Sequence, residues 1–244
     1  RASSTSRGLG DVYKRQVWYY QYALGRPEKR KIISRKRGYH GVTMVAGSLT
    51  GLPYAQEGFG LPLDFVRHTS CPHYFMEKLE SESEQNFVDR MLNNLEKLIL
   101  EEGPDTIGAF IAEPVMGAGG VIIPPKNYFS KVQALLKKYD ILFIADEVIC
   151  GFRSTLGGAS KKFNIMPDLG CFGKSMANGY PISALVGKKK YMKLMDDVFV
   201  SGTFSGDIVS IAASIATIKK LKKLNVIQKL EQLGKKLKMD LNNI

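Results

Sequence analysis

The chain has 244 residues, 44% of them hydrophobic and 24% charged, a balance that makes room for one large globular domain with a substantial core and excludes a disordered chain. Its net charge of +12 lies at the two ends: residues 1–40 hold 11 Lys and Arg against 2 acids, residues 206–244 hold 8 against 3, and the stretch between is slightly acidic, so a basic nucleic-acid-binding domain is only a minor alternative. Three widely spaced cysteines, no run of 18 apolar residues and no apolar leader stretch argue against a disulfide framework, a membrane span and a secretory signal, and point to a reducing, cytoplasmic setting.

Residues 1–16 are rich in Ser, Arg and Gly and aperiodic, and Gly8-Leu9-Gly10 has neither a preceding strand nor the third glycine of a dinucleotide fingerprint. The segment is expected to be foreign or disordered, leaving the fold to residues 17–244. From Val17 the spacing of Trp18, Tyr19, Tyr22 and Ala23 predicts the tail of an amphipathic helix stopped by Gly25 and Pro27. Residues 31–34 predict a short strand, turned at Gly38-Tyr39-His40-Gly41. Residues 50–75, with Pro53, Gly58, Gly60, Pro62 and Pro72, read as loop. His68, Cys71 and His73 within it match no recognised metal-ligand spacing, and no metal is expected.

Helical spacing of Phe87, Met91, Leu95, Leu98 and Ile99 predicts a core-facing helix over residues 84–102, closed by Gly103-Pro104. A strand over residues 107–111 ends at Glu113-Pro114, and the glycines that follow permit close backbone approach. A helix over residues 127–139 leads into the apolar run Ile141-Leu142-Phe143-Ile144-Ala145, whose length and β-branched content predict a buried parallel strand. A further strand near Leu169 precedes Lys174, and residues 182–187 return as a strand. Residues 208–238 predict one long amphipathic helix carrying Ile211, Ile215, Ile218, Leu221 and Leu224 on one face. Strand-helix-strand alternation of this kind predicts an α/β fold with a doubly wound, mostly parallel sheet.

The central apolar run stops at two carboxylates, Asp146 and Glu147. In open α/β sheets the carboxyl ends of strands are where ligands bind. Lys174, within Cys171-Phe172-Gly173-Lys174-Ser175, has little solvent to point at if this segment is buried. A shielded amine loses its charge readily and becomes the nucleophile that forms Schiff bases. On spacing alone, both also fit a strand end meeting solvent and a surface lysine.

The run from Ile144-Ala145-Asp146-Glu147-Val148-Ile149-Cys150-Gly151-Phe152-Arg153, through Pro167-Asp168-Leu169, to Gly173-Lys174 resembles the class III aminotransferases, fold type I enzymes dependent on pyridoxal 5'-phosphate (PLP). Tyr39-His40-Gly41, Glu113-Pro114-Val115-Met116-Gly117-Ala118-Gly119-Gly120 and Gly202-Thr203-Phe204-Ser205-Gly206 extend the resemblance, in the family's order, from about Val17 to the chain's end. The resemblance implies that Lys174 is the catalytic lysine, carrying PLP as a Schiff base and shuttling a proton. It implies that Asp146 pairs with the pyridine nitrogen. It also implies that Val148, on the same side of the strand, packs on the ring face opposite Tyr39. Thr203 resembles the residue that reaches the phosphate of the partner subunit, implying a homodimer with shared active sites, and Glu113 resembles a carboxylate near the pocket.

The implied reaction transfers an amino group between an amino donor and a keto acid or aldehyde. The alternative is the intramolecular transfer of glutamate-1-semialdehyde 2,1-aminomutases, which the separation of 28 residues between Asp146 and Lys174, with Phe152-Arg153 and Leu156-Gly157-Gly158-Ala159, resembles more closely. The stretch from Tyr39 to Tyr74 is more similar to ω-amino-acid:pyruvate transaminases. Ala118 stands where several γ- and δ-amino-acid aminotransferases carry a glutamate, which argues against those substrates, and Ile149 stands where many members carry a glutamine. The family's Gly-Ser phosphate cup does not appear in residues 1–16, and the long terminal helix would lead to a small carboxyl-terminal domain beyond Ile244. No nucleic acid or membrane is expected as a partner.

Overall fold

A computed structural model of the chain describes residues 9–197 and 206–243. In chain order its helices and strands are α1 (Leu9–Ala23), β1 (Lys31–Arg35), α2 (Met44–Leu49), β2 (Val66–Thr69), α3 (Tyr74–Glu77), α4 (Glu84–Glu102), β3 (Ile107–Ala112), α5 (Tyr128–Lys138), β4 (Leu142–Asp146), α6 (Gly158–Lys162), β5 (Leu169–Phe172), β6 (Ala184–Gly187), α7 (Lys189–Met192), α8 (Ile208–Lys223) and α9 (Val226–Asn242). The strands form one sheet in the order β2-β1-β3-β4-β5-β6. The first five run parallel, and β6 closes the edge antiparallel to β5.

Helices cover both faces, so the central strands have no solvent side: β3 is apolar throughout, β4 is apolar up to its terminal Asp146, and both are buried at every position. The two-residue period sorts the side chains. Ile33, Phe110, Ala112 and Phe143 join Phe87, Met91, Leu95 and Ile99 of α4 and Phe129, Val132 and Leu136 of α5 in one core. Ile32, Ala109, Ile111, Leu142, Ile144, Leu169 and Cys171 join Val17 of α1, Val45 and Leu49 of α2, and Tyr191 of α7 in the other. Ser83 starts α4 where the apolar period begins, its hydroxyl accepting the Asn86 N–H at 3.1 Å, and Gly103 ends it at φ 82°. The doubly wound, mostly parallel sheet is therefore the one the alternation predicts.

Three expectations need correction. Residues 1–16 do not all lie outside the fold, because α1 begins at Leu9; Gln16 is buried and its amide donates to the Tyr191 carbonyl at 2.5 Å. A polar residue at a buried helix position disguises the apolar period there. Residues 50–75 are not all loop: β2 pairs with β1 from Ile32↔Val66 to Arg35↔Thr69. It is a four-residue edge strand with Arg67 and His68 at its centre, too short and too polar for a sequence period to register. The single helix expected over residues 208–238 is two, broken where Asn225 takes a left-handed φ of 48°, a conformation asparagine tolerates.

Candidate active site

Four of the candidate residues leave neighbouring parallel strands at the same edge of the sheet. Tyr39 follows β1, Glu113 follows β3, Asp146 ends β4, and Lys174 lies one glycine beyond β5. The register makes them neighbours: Ala112, just before Glu113, pairs with Ala145, just before Asp146, and Asp146 itself pairs with Cys171. This is the carboxyl edge, where a parallel sheet presents ligand-binding residues.

Asp146 is 6% exposed, a burial that an ionised carboxylate tolerates only with its oxygens engaged. Both are: His40 Nδ1 lies 2.8 Å from Oδ2, the imidazole N–H donating, and the Val148 N–H donates to Oδ1 at 3.1 Å. The His40 ring is itself buried, with 1% of its side chain exposed. Its backbone N–H donates to the Thr50 hydroxyl at 2.9 Å, and that hydroxyl donates onward toward the Gly41 and Ala46 carbonyls. The strand stops at Asp146, so the alternation argument does not reach Val148. Val148 nonetheless packs on the core that holds Ile144 and Cys171, the side to which Asp146 belongs.

Lys174 is exposed, against the expectation of a shielded amine. It opens a one-turn 3-10 helix with a left-handed φ of 41°, a conformation that costs an ordinary side chain free energy and needs support from its surroundings. Support comes from Ser175, whose hydroxyl donates to the Gly151 carbonyl at 2.7 Å, and from the Asn178 N–H donating back to the Lys174 carbonyl at 3.1 Å. Gly151 fits only as glycine, since a Cβ would lie 2.7 Å from the Glu147 carbonyl and 2.8 Å from the Phe172 ring. Among the described residues the Lys174 amine has no hydrogen-bond partner.

Glu113 and Glu147 are buried carboxylates that face backbone. Glu113 Oε1 accepts the Tyr39 N–H at 2.9 Å and Oε2 the Gly117 N–H at 3.0 Å. Glu147 accepts the Ala159 and Ser160 N–H groups at 3.0 and 2.6 Å, and burial pushes its carboxyl above the usual range. The glycines after Glu113 do allow close approach: a Cβ on Gly117 would lie 2.9 Å from Ile149, and Gly119 packs on the Arg37 carbonyl. Cys150, its thiol pushed up to about 12 by burial, donates to the Val115 carbonyl at 3.0 Å, and complete burial raises the Cys171 thiol well above its ordinary value. Neither thiol is a nucleophile near neutral pH.

The structure thus brings together Tyr39, Glu113, Asp146, Val148 and the turn of Lys174; Thr203 lies outside the described residues. Sequence reasoning quoted His40 within a motif and gave it no role, and no local signal links it to a carboxylate 106 residues away. A buried, doubly hydrogen-bonded carboxylate and an exposed primary amine on adjacent strand ends are the donor set that a pyridoxal needs at its ring nitrogen and its aldehyde, so the residues present fit PLP.

The comparisons with known proteins agree. The model of the family described as aminotransferase class-III matches residues 13–244. The chain is 49% identical over 236 residues to γ-aminobutyrate transaminase 3, chloroplastic, of Solanum lycopersicum, covering 93% of this chain and 45% of that protein. It is 48% identical over 236 residues to γ-aminobutyrate transaminase 1, mitochondrial, of the same plant, covering 93% and 46%. Among solved structures, the ω-transaminase from Pseudomonas jessenii in complex with PMP superposes with a TM-score of 0.96 at 41% identity, over 100% of this chain and 56% of that one. The chain spans about half the length of the relatives it matches. A cytoplasmic setting is overturned by the chloroplastic and mitochondrial relatives: reduced thiols report redox poise and do not separate the cytosol from an organelle interior. Relatives named for a γ-amino acid also run against the reading of Ala118.

Proposed function

Because the chain belongs to the class III aminotransferases, a PLP-dependent family, we propose that it is the cofactor-holding part of an enzyme that moves an amino group from a donor amine to a keto acid or aldehyde. The observation that carries this reading is the placement of Asp146 and Lys174 at the carboxyl ends of adjacent parallel strands, with the carboxylate pinned by two hydrogen bonds. PLP, when bound, supplies an electron sink that stabilises negative charge at the substrate carbon. Asp146 would hold a proton at the pyridine nitrogen, and His40 and the Val148 N–H hold the carboxylate in place. The Lys174 amine would hold the cofactor covalently through Nζ and, when free, would move a proton. Tyr39 and Val148 are the residues that would bracket the ring.

The donor we propose is an ω-amino compound, in keeping with relatives named for γ-aminobutyrate and for ω-transamination. The assembly we propose is a homodimer with shared active sites. Exposed Val42, Met44, Val121 and Ile123, in the segments leaving β1 and β3 beside Tyr39 and Glu113, support an apolar contact there. The test is borohydride reduction in the presence of PLP followed by peptide mapping. A single adduct on Lys174, lost in Lys174→Ala, is expected; labelling scattered over surface lysines overturns the reading. Turnover that needs both donor and acceptor separates transamination from the aminomutase reaction, which needs no external keto acid.

A further inference from the structure

We propose that Glu113 is a positioning residue that sets the slot in which the cofactor ring lies, acting through Tyr39 and touching no ligand itself; this rests on the reading of the site as a PLP site. The carboxylate is 2% exposed and both oxygens are committed to the chain's own backbone, Oε1 to Tyr39 N–H at 2.9 Å and Oε2 to Gly117 N–H at 3.0 Å. Its carbonyl accepts from the fully buried Arg35 at 2.6 Å, which ties the same residue to the end of β1. Gly117 in turn lies against Ile149, three residues past Asp146, so closely that a Cβ would come within 2.9 Å of it. One carboxylate therefore joins the loop that carries Tyr39 to the loop that presses on the segment after Asp146 and Val148. Those two segments are the two walls of the slot, and their separation is fixed by two charge-assisted hydrogen bonds from a single side chain.

A carboxylate is required because the task is to accept twice. Glu113→Gln keeps the size but replaces one acceptor with an NH2 group, which confronts an N–H. Glu113→Asp keeps both acceptors and withdraws them by one methylene.

The experiment measures three things on the whole chain: hydrogen exchange at the Tyr39 and Gly117 amides, PLP affinity, and the induced circular dichroism of bound PLP. In Glu113→Gln one of the two amides is expected to exchange faster, with PLP binding weakened about tenfold, the dichroic band reduced and the borohydride adduct still on Lys174. In a Tyr39→Ala background the same substitution is expected to weaken PLP little further, because its effect passes through Tyr39. Glu147→Gln, which also removes a buried carboxylate, is expected to leave exchange at Tyr39 unchanged. If Glu113→Gln does not fold, Glu113→Asp carries the same measurements. Unchanged affinity and dichroism in a variant whose amides exchange faster, or full additivity with Tyr39→Ala, overturns the positioning role. Absence of any Lys174 adduct in the unsubstituted chain sinks the function reading instead, so the two failures are distinguishable.

Discussion

His40 shows how much a single side chain decides here. Asp146 is buried, and a buried carboxylate needs hydrogen-bond partners for its oxygens. Replacing His40 with Leu removes the 2.8 Å partner of Oδ2 and leaves only the Val148 N–H. A hydrogen bond to a charged group contributes about 1.5–3 kcal/mol, so His40→Leu is expected to weaken PLP binding by roughly 10- to 100-fold, read from an absorbance titration. Equal affinity in the variant means that Asp146 does not depend on His40. Gly158 makes a similar argument for the backbone. Its φ is +78°, and a Cβ there would lie 2.5 Å from the Glu147 carboxyl. Gly158→Ala is expected to cost about 1–3 kcal/mol, measured from the urea midpoint, with no change in the mapped lysine.

The elements stand on ordinary devices that can be tested one at a time. Ser83 caps α4, and Ser83→Ala is expected to cost about 1 kcal/mol in chemical denaturation; no loss would mean that α4 starts elsewhere. Glu102, at the other end of α4, accepts from Arg67 of β2 at 2.5 Å and pairs with Lys31 of β1 at 2.8 Å. The Arg67 bond first, and then Lys31, hold its carboxyl below the ordinary 4.5. A carboxyl depressed in the folded state contributes stability that is present above its unfolded value and lost as pH falls through the folded one. The difference in urea midpoint between the unsubstituted chain and Glu102→Gln is therefore expected to be largest near neutral pH and to shrink below about pH 4.5. A difference that stays constant down to pH 3 removes Glu102 from the tie between helix and sheet edge.

For the whole molecule, the site is a property of the sheet's carboxyl edge and of nothing smaller. A ligand that binds only the assembled edge stabilises the fold, so on the proposed reading PLP at about 100 times its dissociation constant is expected to add about 2.7 kcal/mol. Thermal melts with and without PLP read this directly, and Lys174→Ala is expected to lose most of the shift. A melt insensitive to PLP at any concentration would mean that the edge does not hold the cofactor in this chain. Leu230, Leu233, Leu237 and Leu241 recur at helical spacing along α9 and are all exposed.

By itself the sequence determined β1, β3, β4 and β5, the limits of α4, the apolar run that ends at Asp146 and the family. All of these depend on neighbours a few positions apart, where periodicity, caps and turn residues act. Tertiary structure alone decided that His40 meets Asp146, that Glu113 binds the Tyr39 and Gly117 amides, that Lys174 is exposed, and that a polar four-residue segment becomes β2. Those facts follow from strand register, which brings together residues tens of positions apart and leaves no local pattern in the chain.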